Sequence, residues 1–81
     1  MNNFSKRHQS SQAGAMEHLI NKMGSMRKLA EKLGVSYASV NLWANAVQKI
    51  PVDQAANIAD IFKDKRLFLE LRYDLKRFLD K

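Results

Sequence analysis

Between Ser36 and Gln48 the chain carries no charged residue, yet it offers two carboxamides, a phenol and several small or aliphatic groups at helical intervals. Turned so that Val40 and Trp43 face a core, a helix here points Ala38, Asn41, Leu42 and Asn45 outward, with Tyr37 at its leading edge. That set suits recognition and not bond making. A carboxamide such as that of Asn41 donates and accepts at once, which matches the N6 and N7 edge of adenine. Ala38 and Leu42 suit a thymine methyl group, and Tyr37 adds a hydroxyl for a base or a phosphate. No arginine stands on this face for guanine, so the expected target is rich in A·T pairs.

Affinity for a polyanion then has to come from flanking charges. Arg27 and Lys28 open the preceding helix beside its N-terminal amides, where a phosphate can sit. Lys49 comes after the reading helix. Ser36 completes the candidate phosphate contacts, although as a residue type it is first of all an N-cap. Across the chain, 14 Lys and Arg stand against 8 Asp and Glu, a net charge of +6. On so small a protein that excess favours nucleic acid before a membrane as partner.

Such a face needs two helices held at a fixed angle. Ala30, Gly34, Val40 and Trp43 succeed one another at intervals of four, six and three residues, the spacing of a helix-turn-helix. Ala30 is small where the second helix crosses the first. Gly34 can take φ > 0 without steric cost and so ends the first helix. Val35 plugs the corner and Ser36 caps the second helix. Met26, Leu29, Ala30 and Leu33 form one apolar stripe; Val40, Trp43, Ala44 and Val47 form another, which predicts a recognition helix from Tyr37 to Val47. An ordinary αα-hairpin shares the glycine, but not the small residue, the cap and both core positions in register.

Length and composition bound the rest. The 81 residues suit one small domain. There is no cysteine, hence no disulfide, and this fits a reducing compartment. His8 and His18 lack ligand-spaced partners, so a satisfied or solvent-facing role is expected for both, with no metal or other cofactor. The chain lacks paired carboxylates, a Ser/His or Cys/His set, and a phosphate-cradling glycine loop, so an enzyme is not expected. No apolar run approaches membrane-spanning length, and the start Met1-Asn-Asn-Phe-Ser lacks a signal peptide's apolar region. A cytoplasmic protein with no membrane partner is the expectation.

Residues 1–13 read as a disordered basic tail, with Lys6-Arg7-His8 either an arm across phosphates or an inert leader. A domain over 14–66 comes next. Its first helix is predicted from Ala15 to Met23, with Met16, Leu19, Ile20 and Met23 on one side; Gly24-Ser25 ends it, and Ser25 caps the second. Ile50-Pro51 marks a new start, and Val52, Ala55, Ile58, Ala59 and Phe62 form the buried stripe of a fourth helix. In the apolar segment 67–81, a helix gathers Phe68, Leu71, Leu75, Phe78 and Leu79 on one stripe, with Asp74 as a candidate cap. A short strand gathers Leu67, Leu69 and Leu71, but Phe68 interrupts its alternation. The segment either completes the core or forms half of a dimer interface.

Gly34-Val-Ser-Tyr-Ala-Ser-Val-Asn-Leu-Trp43, with Ile50-Pro51 shortly after, resembles the small Cro-type repressors of lambdoid phages and the related YdaS-like antitoxins. That family reads Gly-(Ile/Val)-Ser-x-x-(Ala/Ser)-Val-x-x-Trp, then a basic stretch, then Ile/Val-Pro. Glu70-Leu-Arg-Tyr-Asp-Leu75 is similar to the Glu-Leu-Arg-Pro-Asp-Leu that ends many YdaS-like domains, and together the likeness covers about residues 19–75. Two positions depart from it: Tyr73 replaces the proline, and Ala44-Asn45-Ala46-Val47 replaces the basic stretch. The resemblance implies an all-α fold, a small bundle of four to five helices built on a lambda-repressor-like DNA-binding domain. It also implies a phage or prophage regulator that binds double-stranded operator DNA, as a homodimer. Its YdaS-like side implies instead an interaction module whose C-terminal segment binds a protein partner, a toxin, with DNA binding serving autoregulation. A nucleoid-associated or RNA-binding protein is a further alternative.

Overall fold

A computed structural model describes residues 4–75 and shows an all-α bundle. The helices are α1 (Lys6–Met23), α2 (Met26–Leu33), α3 (Tyr37–Ala44), α4 (Val52–Ile61) and α5 (Lys65–Leu71), with a 3-10 turn at Tyr73–Leu75 after them. Each start has a local cause. Ser5, Ser25, Ser36 and Asp64 accept from the backbone N–H groups of His8, Lys28, Ser39 and Arg66, and each so satisfies a donor that the first turn leaves open. Pro51 precedes α4 without a side-chain cap, and Asp53 sits in its first turn, where the helix dipole favours an acid.

The core gathers apolar groups from all five helices: Met16 and Leu19 of α1, Leu29 and Leu33 of α2, Val40 and Trp43 of α3, Ala55 and Ile58 of α4, and Leu67 and Leu71 of α5, with Ile50 from the loop before α4. α1 is the central strut. It packs against α2, α3, α5 and the closing turn, while α4 leans mainly on α5. Lys22 lies 5.7 Å above the Phe62 ring and ties the end of α1 to the end of α4. No helix among the described residues is long and apolar enough to cross a membrane.

Four expectations need correction. The first concerns the tail over 1–13: α1 begins at Lys6, not at Ala15, and Phe4, His8 and Gln12 are all buried. These polar side chains find internal partners, and the Phe4 ring meets the His8 ring edge-on at 4.7 Å, so the segment has enough to offset its ordering. Residues 1–3 lie outside the described part. The second concerns α3, which ends at Ala44. Ala46 turns left-handed (φ 55) and the Val47 N–H reaches back to the Leu42 carbonyl, leaving Val47 exposed.

The third correction concerns α4. Ala55 and Ile58 are buried, and Ala59 and Phe62 lean on the core, but Val52 is exposed in the first turn. The fourth concerns the C-terminal segment. Asp64 caps a helix that starts at Lys65, so the strand is excluded and the division at 66/67 falls inside α5. Leu67 and Leu71 complete the core. Asp74 lies in the 3-10 turn, where it pairs with Arg72; the helix it is expected to cap would run into residues outside the described part. Phe78 and Leu79 of the expected stripe lie outside the described residues.

Candidate nucleic-acid interface

Two short helices carry the predicted site, and their geometry comes from the turn between them. Gly34 adopts φ 72, and the N–H of Val35 returns to the Ala30 carbonyl at 3.1 Å, an αL ending that suits a residue without Cβ. Ser36 then accepts from the Ser39 N–H at 3.1 Å and donates its own proton to the Ser39 hydroxyl at 3.0 Å. Ala30, Val40 and Trp43 are buried together, and half-buried Val35 packs on that cluster at the corner. The orientation of α3 is therefore fixed by contacts at its inner face.

The outer face of α3 carries the candidate base-contacting residues in the expected order. Tyr37, Ala38 and Asn45 are exposed, and Asn41 and Leu42 are half-buried. One detail was not visible in the sequence. The Asn45 carboxamide donates to both the backbone oxygen and the side-chain oxygen of Asn41, each at 2.9 Å. The amide nitrogen of Asn41 points toward the Met26 sulfur at 4.0 Å. The two amides thus form one oriented unit. The Asn41 oxygen keeps a second lone pair for an incoming donor.

The candidate phosphate contacts divide into two groups. Arg27 and Lys28 are exposed at the start of α2, and neither has a carboxylate partner among the described residues. Ser36 is exposed but already committed as the cap of α3. Lys49 sits elsewhere. It is half-buried in the loop after α3, and its charge acts on His8 and Asp74. The structure brings Arg27, Lys28 and the α3 face onto adjoining elements, and Lys49 follows in the loop after α3.

Sequence reasoning passed over the residues that hold the far end of α3. Gln12 is fully buried. Its amide nitrogen donates to the carbonyls of Trp43 at 2.9 Å and Gln48 at 2.8 Å, and its oxygen accepts from the Ile50 N–H at 3.2 Å. Arg72 adds a bond from its guanidinium to the Ile50 carbonyl at 3.1 Å while pairing in a fork with Asp74 at 3.0 and 2.7 Å. His8, also fully buried, donates from Nε2 to the Leu71 carbonyl at 2.9 Å, because that oxygen can only accept. Its Nδ1 has no hydrogen-bond partner and lies 3.5 Å from an Asp74 oxygen.

Burial holds the His8 imidazole below its usual range, against the opposing pull of the Leu71 carbonyl and the Asp74 carboxylate; Arg72 and Lys49 push the same way as burial. Asp74 is likewise held below the usual carboxylate range, first by its hydrogen bonds from Arg72. The available signal for this region was the spacing Phe4, His8, Gln12, Ala15, Leu19, a helical stripe on which polar groups take apolar places. No cluster of His, Asp or Glu among the described residues could hold a metal ion. A family model described as bacterial toxin YdaS matches residues 16–77 of the chain. No curated protein and no solved structure matches it significantly.

Proposed function

The chain belongs to the YdaS family, and on that premise we propose that it is a sequence-specific DNA-binding regulator of transcription that lays α3 in the major groove. The observation that carries this reading is the α2–turn–α3 unit itself. Two helices locked at the inner face leave Tyr37, Ala38, Asn41, Leu42 and Asn45 on an uncharged outer face, with the exposed cations Arg27 and Lys28 beside it. An uncharged helix face of amides and methyls neutralises no phosphate, so what it adds is discrimination between base edges. Phosphate binding by Arg27 and Lys28 at the start of α2 supplies the remainder, with Ser36 and Lys49 as lesser contributors.

The protein acts by binding and not by catalysis, in the cytoplasm of a bacterial cell. Binding as a homodimer would place two copies of α3 about 34 Å apart on one face of the duplex. The family description as a bacterial toxin supports a second reading, in which the chain belongs to a toxin–antitoxin pair and meets a protein partner through its C-terminal segment. The neighbouring genes separate the two: a divergent repressor gene fits the first, a small co-transcribed partner gene the second. The direct test is selection of duplexes from a random DNA pool. Enrichment of an A·T-rich motif supports base reading by α3, and retention of unrelated sequences with equal affinity overturns it.

A further inference from the structure

We propose that Gln12 is a positioning residue for DNA reading: from inside α1 it sets the end of α3 and the loop beyond it. This assignment rests on the DNA-binding function above. The chain leaves α3 without a glycine. Ala46 takes φ 55, a conformation that disfavours a side chain, and the N–H groups of residues 45–48 return to the carbonyls of Asn41, Trp43 and Leu42, whereas the Gln48 carbonyl and the Ile50 N–H are met by the Gln12 side chain. Gln12 supplies the rest. Every hydrogen-bonding position that matters on its amide is spent on the loop: two carbonyls, of Trp43 and Gln48, and one N–H, of Ile50.

Those three partners span the chain from the last turn of α3 to the residue before Pro51. A single buried side chain thus fixes both the register at which α3 stops and the path that carries Lys49. Arg72 holds the same loop from the opposite side through the Ile50 carbonyl. Trp43, whose carbonyl Gln12 grips, is also the residue that seats α3 against α2. A shift at this carbonyl therefore tilts the outer face of α3, with Asn41 and Asn45 on it, relative to Arg27 and Lys28. Base contacts depend on such tilts to a fraction of an ångström, whereas long cationic side chains track a phosphate through them.

The test replaces Gln12→Met, which keeps length and apolar bulk but removes all three bonds. It is made in a Gly14→Ala background, since an added Cβ at Gly14 meets nothing within 4 Å and the alanine strengthens α1. Two readouts are compared with Gly14→Ala alone. Without DNA, the Ile50 amide proton should exchange faster by about tenfold more than the amides of α2. With DNA, affinity for the duplex preferred in the random-pool selection should fall about tenfold, and that for a scrambled duplex of equal length by less than about twofold.

Equal losses on the two duplexes, or an undiminished affinity for the preferred one, overturn the assignment. If the double variant does not fold, the unmodified protein decides: an Ile50 amide protected like those of α2 upholds the tether, and one exchanging like an exposed loop overturns it. An unmodified protein that prefers no duplex overturns the DNA reading and this assignment with it, and that result is distinct from a failure confined to the variant.

Discussion

Two helices of the bundle end in glycine, and three do not. α1 stops at Gly24 with φ 102 and α2 at Gly34 with φ 72, so the chain itself turns back onto the last carbonyls. α3 and α5 stop at Asn45 and Arg72, both with negative φ. Carbonyls at these ends are met from a distance. Gln12 donates to Trp43 at the end of α3, and His8 and Ser11 donate to Leu71 and Glu70 at the end of α5, the last at 2.6 Å. The first half of α1 is in effect the C-cap of two other helices.

The two regions are consequently held by different forces. The α2–α3 unit is seated by apolar burial and local caps, and packed apolar groups tolerate swaps that keep volume but lose stability when volume is removed. The surface joining the start of α1 to the ends of α3 and α5 is seated by buried hydrogen bonds, which lose much when one partner is removed. One region should respond to volume and the other to polarity and pH.

The largest expected effect falls on the apolar region. Trp43 is 5% exposed at the centre of the α2–α3 cluster, so Trp43→Ala should cost ~3–5 kcal/mol, enough to unfold a domain of this size. Chemical denaturation measures it. A variant that melts like the parent would mean that the cluster does not hold α3, and the contrast between the regions would collapse.

Next comes the outer face of the same helix. Asn41→Ala removes an amide whose protein partners are Asn45 and the Met26 sulfur, so it should scarcely change the melt. It should lose ~1–3 kcal/mol on the preferred duplex and little on random DNA. Arg27→Ala should weaken both duplexes alike and lower the salt slope by about one unit. A salt titration on both duplexes reads all of this. A melt disturbed by Asn41→Ala would show that the face is part of the fold's support and would blur the line between reading and seating.

Legibility in the sequence divides along the same line. The turn at Gly34, the cap at Ser36, the buried Ala30, Val40 and Trp43, and the outward set on α3 all announce themselves within eighteen residues, because their causes are local. The YdaS-like resemblance rested on Gly34 to Trp43 together with Ile50-Pro51 and Glu70 to Leu75, and the family model matches residues 16–77. The start of α1 was missed because Ser, Gln and His read as solvated when their partners are distant carbonyls. Gln12 meets residues 31 to 38 positions away, and His8 meets Leu71 63 positions away. No periodicity records such a pairing. The end of α3 was placed three residues late for the same reason: without a glycine, nothing local marks it.

The polar region should show itself through pH. His8 is neutral in the fold and is held below its ordinary value of 6.5 by burial. As pH falls, the unfolded chain takes up this proton first, so stability is highest above that value and declines as pH drops from it through the lower value in the fold. Asp74, also held low, adds a separate loss only at more acidic pH, as it is protonated in turn. Denaturation midpoints measured from neutral pH downward should fall, and His8→Met should flatten the part of the curve near 6.5 while lowering stability throughout. A His8→Met protein with the parent's pH profile would remove the buried imidazole as the source, and with it the sharpest distinction between the two regions.

The smallest effect tests whether the regions are joined at all. Gly14 lies in α1 between the turns that bury His8 and Gln12 and those that bury Ala15, Met16 and Leu19. Its backbone is helical, and an added Cβ there meets nothing within 4 Å. Glycine within a helix is less favourable than alanine because the unfolded chain has more freedom to lose, by roughly 0.5–1 kcal/mol. If α1 runs as one rigid strut from Lys6 to Met23, Gly14→Ala should raise stability by about that amount and leave duplex affinity unchanged. If the first half of α1 instead opens on its own in solution, hinged at Gly14, alanine should slow amide exchange from residue 8 to 13 and add little to the global midpoint. The size of the gain therefore reports whether the polar region folds with the apolar one or after it.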